Sequence, residues 1–371
     1  MKKAVVFLLT LALIVSICGA CFAAAGKVAI VTMTVSQNEE EFRSAQEMIA
    51  KYGDKVIHVT WPDNFMTEQE QMVSIVARLA ANPDVKALII NQAVPGTNAA
   101  VDKLLETRDD IFIVYCTPQE NPPDVAERAS VILIPDELEM GRAVPVQAKA
   151  LGAKTFVHYS FPRHMSQPLL SGRRELMKLK CAEIGLEFID ATAPDPTGDS
   201  GVPGAQQFIL EDVPKMVSRY GKDTAFFSTN CAMQIPLIKA TVDTGAIYPL
   251  PCCPSPYHGF PAALGIRSDS GNPDNLQHVI NETRRVIKEK GVEGRLSTWP
   301  VPVTMMFTIG STEYAMKIIN GEASLDKLDK ALLDKCLSEY AKVDVVTTPY
   351  TDDSGKEFPN FLFTIMGFLT Y

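Results

Sequence analysis

Short, nearly continuous apolar runs alternate along this chain with stretches whose apolar residues recur every three or four positions. Residues 27–34 (KVAIVTMT) form such a run, as expected of a strand buried on both faces. Ser36 follows, with Glu39 three residues on in the spacing of a capping box. Phe42, Ala45, Ile49 and Tyr52 then recur at helical spacing, and Gly53 ends the helix. The strand signal returns at 56–61, 87–91 (ALIIN), 111–116 (IFIVYC) and 131–134. Between these lie a second capping box at Thr67 and Glu70, ahead of Met72, Val76, Leu79 and Ala80, and a helix through Val101 and Leu105.

Asp136 and Glu139 cap a helix that runs toward Leu151 and Gly152 and that Pro145 should kink. Residues 155–160 (TFVHYS) start a second series. It continues with a helix over 168–184, a strand at 187–190, a helix over 205–220, a strand at 224–228 (TAFFS) and a helix that Gly245 closes. Strands separated by helices imply parallel sheets covered on both faces. The series restarts once and shows no repeat of about 20–50 residues, which excludes a solenoid. At 371 residues the chain is also too long for one core. The predicted class is α/β: two doubly wound parallel-sheet lobes joined by crossover hinge strands. The expected first lobe is 26–135 plus about 268–342. The expected second is 136–267 plus about 343–371, with crossovers near Pro135, Arg267 and Val343. Beyond Pro249, four prolines (251, 254, 256, 261) forbid a helix, and helices are expected at 275–290, 304–320 and 325–340.

Residues 1–25 read differently. Lys2 and Lys3 precede an apolar stretch over 4–17, and small residues around Ala20, Ala23 and Ala25 suit a peptidase, so a secretory signal is expected. Export places the protein in the periplasm or outside the cell. Cys21, after Gly19-Ala20, makes a lipid-anchored form the alternative to a free mature chain. Acidic residues outnumber basic ones by 44 to 35 and no basic cluster carries interleaved aromatics, which argues against nucleic acid as a partner. Outside the leader stand Cys116, Cys181, Cys231, Cys252, Cys253 and Cys336. Six in so large a chain make no disulfide scaffold, and Cys231 with Cys252 or Cys253 is the one pairing to consider. No CxxC and no Cys/His spacing matches a zinc motif, so no metal and no cofactor are expected.

Several segments resemble the type I periplasmic binding proteins, the superfamily of sugar-binding proteins, basic membrane lipoproteins and LacI-type regulators. Asp136 and Gly141 in one helix, then Gly152 and a strand, are similar to that family's first crossover. Arg173 and Arg174 with Gly185 resemble its Arg-rich first helix after that strand. Ser228-Thr229-Asn230 after TAFFS is similar to its strand-Asn-Asp-helix signature, although Cys231 stands in the Asp position, which puts the usual sugar-hydroxyl contact in doubt. Trp299-Pro300-x-Pro302, before a helix ending Asn320-Gly321-Glu322, resembles the segment that recrosses to the first lobe. The exported start and the ending 348–355 (TPYTDDSG) resemble an exported bacterial family of this fold without an assigned ligand.

In doubly wound sheets ligands sit at the carboxyl ends of the strands. Those ends give Thr34, Trp61, Asn91, Gln92 and Thr117 in the first lobe, and Tyr159, Ser160, Arg163, His164, Thr229 and Asn230 in the second, with Trp299 from the recrossing segment. The tryptophans would stack on a ring, the amides would orient it, and Arg163 could clamp a carboxylate or phosphate. Each could instead cap a helix or pack locally; for Ser36 the capping role is already visible. Enzyme signatures fail: there is no GxGxxG after a strand, no Walker loop, no HExxH and no GxSxG. Gly198-Asp199-Ser200-Gly201 mimics a serine-protease string in a loop without triad partners. Asp190, Asp195 and Asp199 lack EF-hand spacing. The expected protein is not an enzyme but a monomeric solute receptor, handing a small polar ligand to the permease of an ABC-type transporter. A sensor ectodomain, or a hydrolase using the same cleft, is the alternative.

Overall fold

The computed structural model describes residues 26–266 and 276–371. The leader and the crossover expected near Arg267 lie outside the described residues. The larger sheet has seven strands in the order β10-β11-β5-β4-β3-β1-β2. These are β1 (Lys27–Thr32), β2 (Val56–Thr60), β3 (Val85–Asn91), β4 (Phe112–Cys116), β5 (Val131–Pro135), β10 (Thr348–Thr351) and β11 (Glu357–Thr364). All neighbours pair in parallel except β10 on β11. Every residue of β4 and β5 is buried, and in β1 only Lys27 is not, as helices on both faces require.

The second sheet contains β6 (Thr155–Ser160), β7 (Glu187–Thr192) and β8 (Thr224–Ser228) in the parallel order β7-β6-β8. Single bridges carry it further, from Ala225 to Ile247 and from Tyr248 to Leu296. There β9 (Ser297–Thr298) pairs antiparallel with β12 (Leu369–Thr370). The helix Leu276–Glu289 belongs to this lobe too, since Ile280 and Ile287 are buried with Val157, Phe226 and Tyr248.

These pairings relocate two of the expected boundaries. The chain is still in the second lobe at 296–298 and enters the first through 299–303, because β9 extends the second sheet and the helix Val303–Ile319 packs on β3. Residues 348–364 do not join the second lobe. Their apolar strand β11 adds to β5 in register Phe361–Ile132 through Thr364–Pro135, and only the last residues return to β9. From β5 in the larger sheet the chain runs through the helix Glu137–Ala150 into β6 of the second sheet. Asp136 caps that helix by accepting from Glu139 N. Two other capping expectations fail. Asn38, not Ser36, caps the helix Glu39–Tyr52, and no side chain caps Gln69–Ala80, where Thr67 donates to Asn64 O instead.

Apolar packing is continuous across the junction. One cluster joins Val28 and Ile89 of the larger sheet to Phe156 and Phe227 of the smaller, through Trp299, Val301 and Val303. The helix Glu137–Ala150 packs on Pro168–Ile184 at Gly141, where a Cβ would lie 2.8 Å from Arg173 O. Any larger residue at 141 would force these helices apart, and their close approach is what brings Arg173 to Glu137.

Candidate functional site

Between the two sheets, at the carboxyl ends of their strands, lies a cleft of about 960 Å³ including its open mouth. The loops after β3 and β4 supply Gln92, Thr117 and Glu120; those after β6 and β8 supply Arg163, His164, Asn230 and Cys231, with Arg173 from the following helix. Four of the ten expected site residues, Gln92, Thr117, Arg163 and Asn230, therefore line one cavity from both lobes, together with His164 and Thr229. Thr117 does so with φ 47°, a left-handed backbone for a β-branched residue, as strained positions at binding sites often are.

The other six point elsewhere. Trp61 and Trp299 are fully buried. Trp61 donates from Nε1 to the carbonyl of Gln92, so it backs the cleft wall without facing a ligand, and Trp299 sits in the inter-lobe core. The expected ring platform is thereby corrected: both indoles are already covered by protein. Asn91 donates to Thr304 O at 2.9 Å and Thr308 Oγ1 at 2.8 Å, fastening β3 to the helix Val303–Ile319. Tyr159 is buried and donates to Asp212. Thr34 donates to Asp63, and Ser160 accepts from Ala193 N at 2.8 Å, both at strand ends outside the cleft lining.

Charge is concentrated on the second-lobe wall. Arg163 meets Asp195 through two nitrogens, at 2.8 and 3.0 Å. Burial would raise the Asp195 carboxyl, but Arg163 and Thr197 outweigh it and hold it below its ordinary range. Arg173 is 1 % exposed and pairs through Nη1 with Glu137, while its Nε and Nη2 have no partner. Burial nevertheless pushes Glu137 above the usual carboxylate range. His164 bonds through Nδ1 to Thr229 Oγ1 at 3.0 Å; burial first, then Arg163, pushes it down to about 3. On the opposite wall burial raises Glu120, although it accepts from the Gly96 and Asn98 amides.

Cys231, Cys252 and Cys253, whose pairing was the one to consider from the sequence, do come together at the base of the cleft, and they do so with His258, which was not expected among them. Cys231 Sγ lies 3.5 Å from Cys252 Sγ and 3.4 Å from Cys253 Sγ, and Cys252 Sγ lies 4.0 Å from His258 Nε2. Donatable atoms of Cys231, Cys252 and His258 fall within 4.8 Å of one another. A disulfide would need about 2.05 Å, and all six described cysteines are free. Hydrogen bonds from Cys252 and then Cys253 lower Cys231 well below an ordinary thiol. Burial opposes a charged imidazole at His258, yet the neighbouring Cys231 outweighs it and holds His258 above its usual value. The local string Cys252-Cys253-x4-His258 was the available signal, but its third cysteine comes from the end of another strand.

Residues 26–297 match the family model described as Protein of unknown function (DUF3798). The chain belongs to this family. A relative from Treponema pallidum (strain Nichols), an uncharacterized protein, is 37 % identical over 169 residues, spanning 46 % of this chain and 78 % of that one. Among solved structures, a candidate transcriptional regulator from Clostridium difficile 630 superposes with TM-score 0.73 at 23 % identity, covering 93 % of this chain and 99 % of its own. A periplasmic solute-binding protein of an ABC transporter from Actinobacillus succinogenes 130z, with bound D-allose, reaches TM-score 0.53 at 14 % identity over 80 % and 93 %. The DUF3798 chain thus has the fold of the type I periplasmic binding proteins. Among its described residues, no helix is long and apolar enough to cross a membrane.

Proposed function

We propose that this DUF3798 protein is an exported, monomeric solute-binding protein that closes its two lobes on a small polar ligand and presents it to the permease of an ABC-type transporter. One observation carries the reading: the same cleft is lined from both sheets, by Gln92 and Thr117 on one side and Arg163 and Asn230 on the other. A ligand shifts a two-lobed protein toward closure only through contacts made better in the closed state, so both lobes must contribute. The unpartnered Nε and Nη2 of buried Arg173 favour a ligand with an oxyanion, a carboxylate or a phosphate, among its polar groups.

Native mass spectrometry of the purified protein, followed by thermal melting against sugars, sugar acids, nucleotides and amino acids, tests this. A true ligand at 100 times its dissociation constant should stabilise the protein by about 2.7 kcal/mol. Asn230→Ala and Gln92→Ala, from opposite lobes, should each weaken it at least about tenfold, or about 1.4 kcal/mol. A ligand whose affinity responds to neither substitution would place binding outside this cleft.

A further inference from the structure

We infer that Cys231, Cys252 and His258 form a binding site for one thiophilic metal ion of the Zn2+ class, set in the wall between the solute cleft and a smaller cavity behind it. The geometry is close to what one ion requires. Zn–S bonds of about 2.3 Å and Zn–N bonds of about 2.0 Å in a tetrahedron put two sulfurs about 3.8 Å apart and a sulfur and nitrogen about 3.5 Å apart. The Cys231–Cys252 separation is 3.5 Å and the Cys252–His258 separation 4.0 Å, and all three ligand atoms lie within 4.8 Å of one another, so side-chain adjustments of up to about an ångström would close them around one ion.

The surroundings match a metal site better than a core of inert thiols. His258 turns Nε2 toward Cys252 while its Nδ1 lies 3.4 Å from Glu40 Oε2. This contact sets a buried carboxylate behind the imidazole at ion-pair distance, and a small closure would turn it into the carboxylate–histidine hydrogen bond that orients a metal-bound imidazole. Glu40 is 3 % exposed, and its other oxygen accepts from Ser255. Two side-chain amides aim at the Cys231 sulfur, Gln92 Nε2 at 3.5 Å and Asn38 Nδ2 at 3.9 Å, as donors to a thiolate would. Cys231 opens the 3-10 turn Cys231–Met233 after β8, while Cys252 and His258 lie in the proline-rich loop at 251–258, which has no regular secondary structure to hold it there. Cys231 and Cys252 border the main cleft, while Cys231 and His258 border the smaller cavity lined by Glu40 and Arg43. With two thiolates and one imidazole from the chain, a fourth position remains beside the cleft, the pattern of zinc sites that keep an exchangeable ligand.

The site goes beyond the solute reading, and its test needs no solute. Reduced, metal-free protein is titrated anaerobically with Co2+ and then with Zn2+. Binding should be one ion per chain, with sulfur-to-cobalt charge-transfer absorption and tetrahedral ligand-field bands that Zn2+ abolishes. Cys231→Ser and Cys252→Ser should each remove most of the charge-transfer intensity and weaken Zn2+ at least tenfold, while Cys336→Ser, outside the cluster, leaves both unchanged. The wild-type spectrum counts the sulfur ligands by itself should a variant fail to fold. Absence of stoichiometric binding, a cobalt spectrum without sulfur character, or a disulfide between Cys231 and either neighbour in protein folded with Zn2+ present would each overturn the site.

Discussion

The two walls of the cleft are built on different physics. The first-lobe wall is mostly neutral. Gln92 reaches Gln119 through Oε1 and the cluster sulfurs through Nε2, and behind it Trp61 holds its carbonyl. The second-lobe wall carries two guanidiniums, each already matched to a carboxylate of its own lobe. A wall of amides can change partners at small cost, whereas a wall holding the buried Arg173–Glu137 pair cannot lose a member of it without leaving a charge unpaired. The contrast separates roles. Binding free energy comes most readily from donors not already used, and on the charged wall these include Nε and Nη2 of Arg173 together with the Asn230 amide.

Removing what supports each wall sharpens the contrast. On the first, Trp61→Ala deletes a side chain with no exposure and should cost about 3–5 kcal/mol of stability by denaturant unfolding. Trp61→Phe, losing chiefly the bond to the Gln92 carbonyl, should cost nearer 1 kcal/mol. Near-equal losses in the two variants would mean that the hydrogen bond, not the packing, supports this wall. On the second, Arg173→Met should cost about 3 kcal/mol, because Glu137 loses its partner while buried. Adding Glu137→Gln to that variant should recover part of the loss. Were the double variant no more stable than Arg173→Met alone, the ion pair would not be what makes this wall rigid.

The sequence carried the strand–helix order because buried parallel strands and capped helices leave local signatures. The runs at 27–34 and 111–116 and the Asp136 cap are examples. Lobe membership was harder. Nothing local in 357–364 says whether that strand adds to one sheet or the other, and the pairing with β5 is decided by distant residues. The site divided along the same line. Strand-end position picked out Gln92, Thr117, Arg163 and Asn230, which face the cleft. The same rule misplaced Trp61, Asn91 and Tyr159, because a strand end says where the backbone stops and not which layer covers the side chain. The thiol group was legible only as a candidate cysteine pair, and its company with His258 was not, for a third reason. Its spacing follows no compact motif, and Cys231 meets Cys252 only after β8 and the loop beyond Ile247 have been aligned.

An effect smaller than those of Trp61→Ala and Arg173→Met is electrostatic and belongs to the charged wall. His164 is 3 % exposed, lies against Phe161 and Thr229, and feels Arg163 and Arg173 on one side and Asp195 on the other. Its imidazole, near 6.5 in an unfolded chain, is pushed down to about 3 in the folded one. Between those values the unfolded state binds a proton that the folded state does not, so stability falls as pH falls through that window and is fully present above it. From about pH 7 to about pH 5 the difference amounts to about 2 kcal/mol. His58, pushed down to about 4 by burial, acts in the same direction on the other lobe, so total acid sensitivity does not isolate the wall. The difference between wild type and His164→Gln does, since glutamine can keep a bond to Thr229 without titrating. Denaturant unfolding at the two pH values should show the wild type losing about 2 kcal/mol more than the variant. Parallel losses in the two proteins would mean that His164 is hydrated or protonated in the folded cleft, and that the second-lobe wall is more open to water than its burial implies.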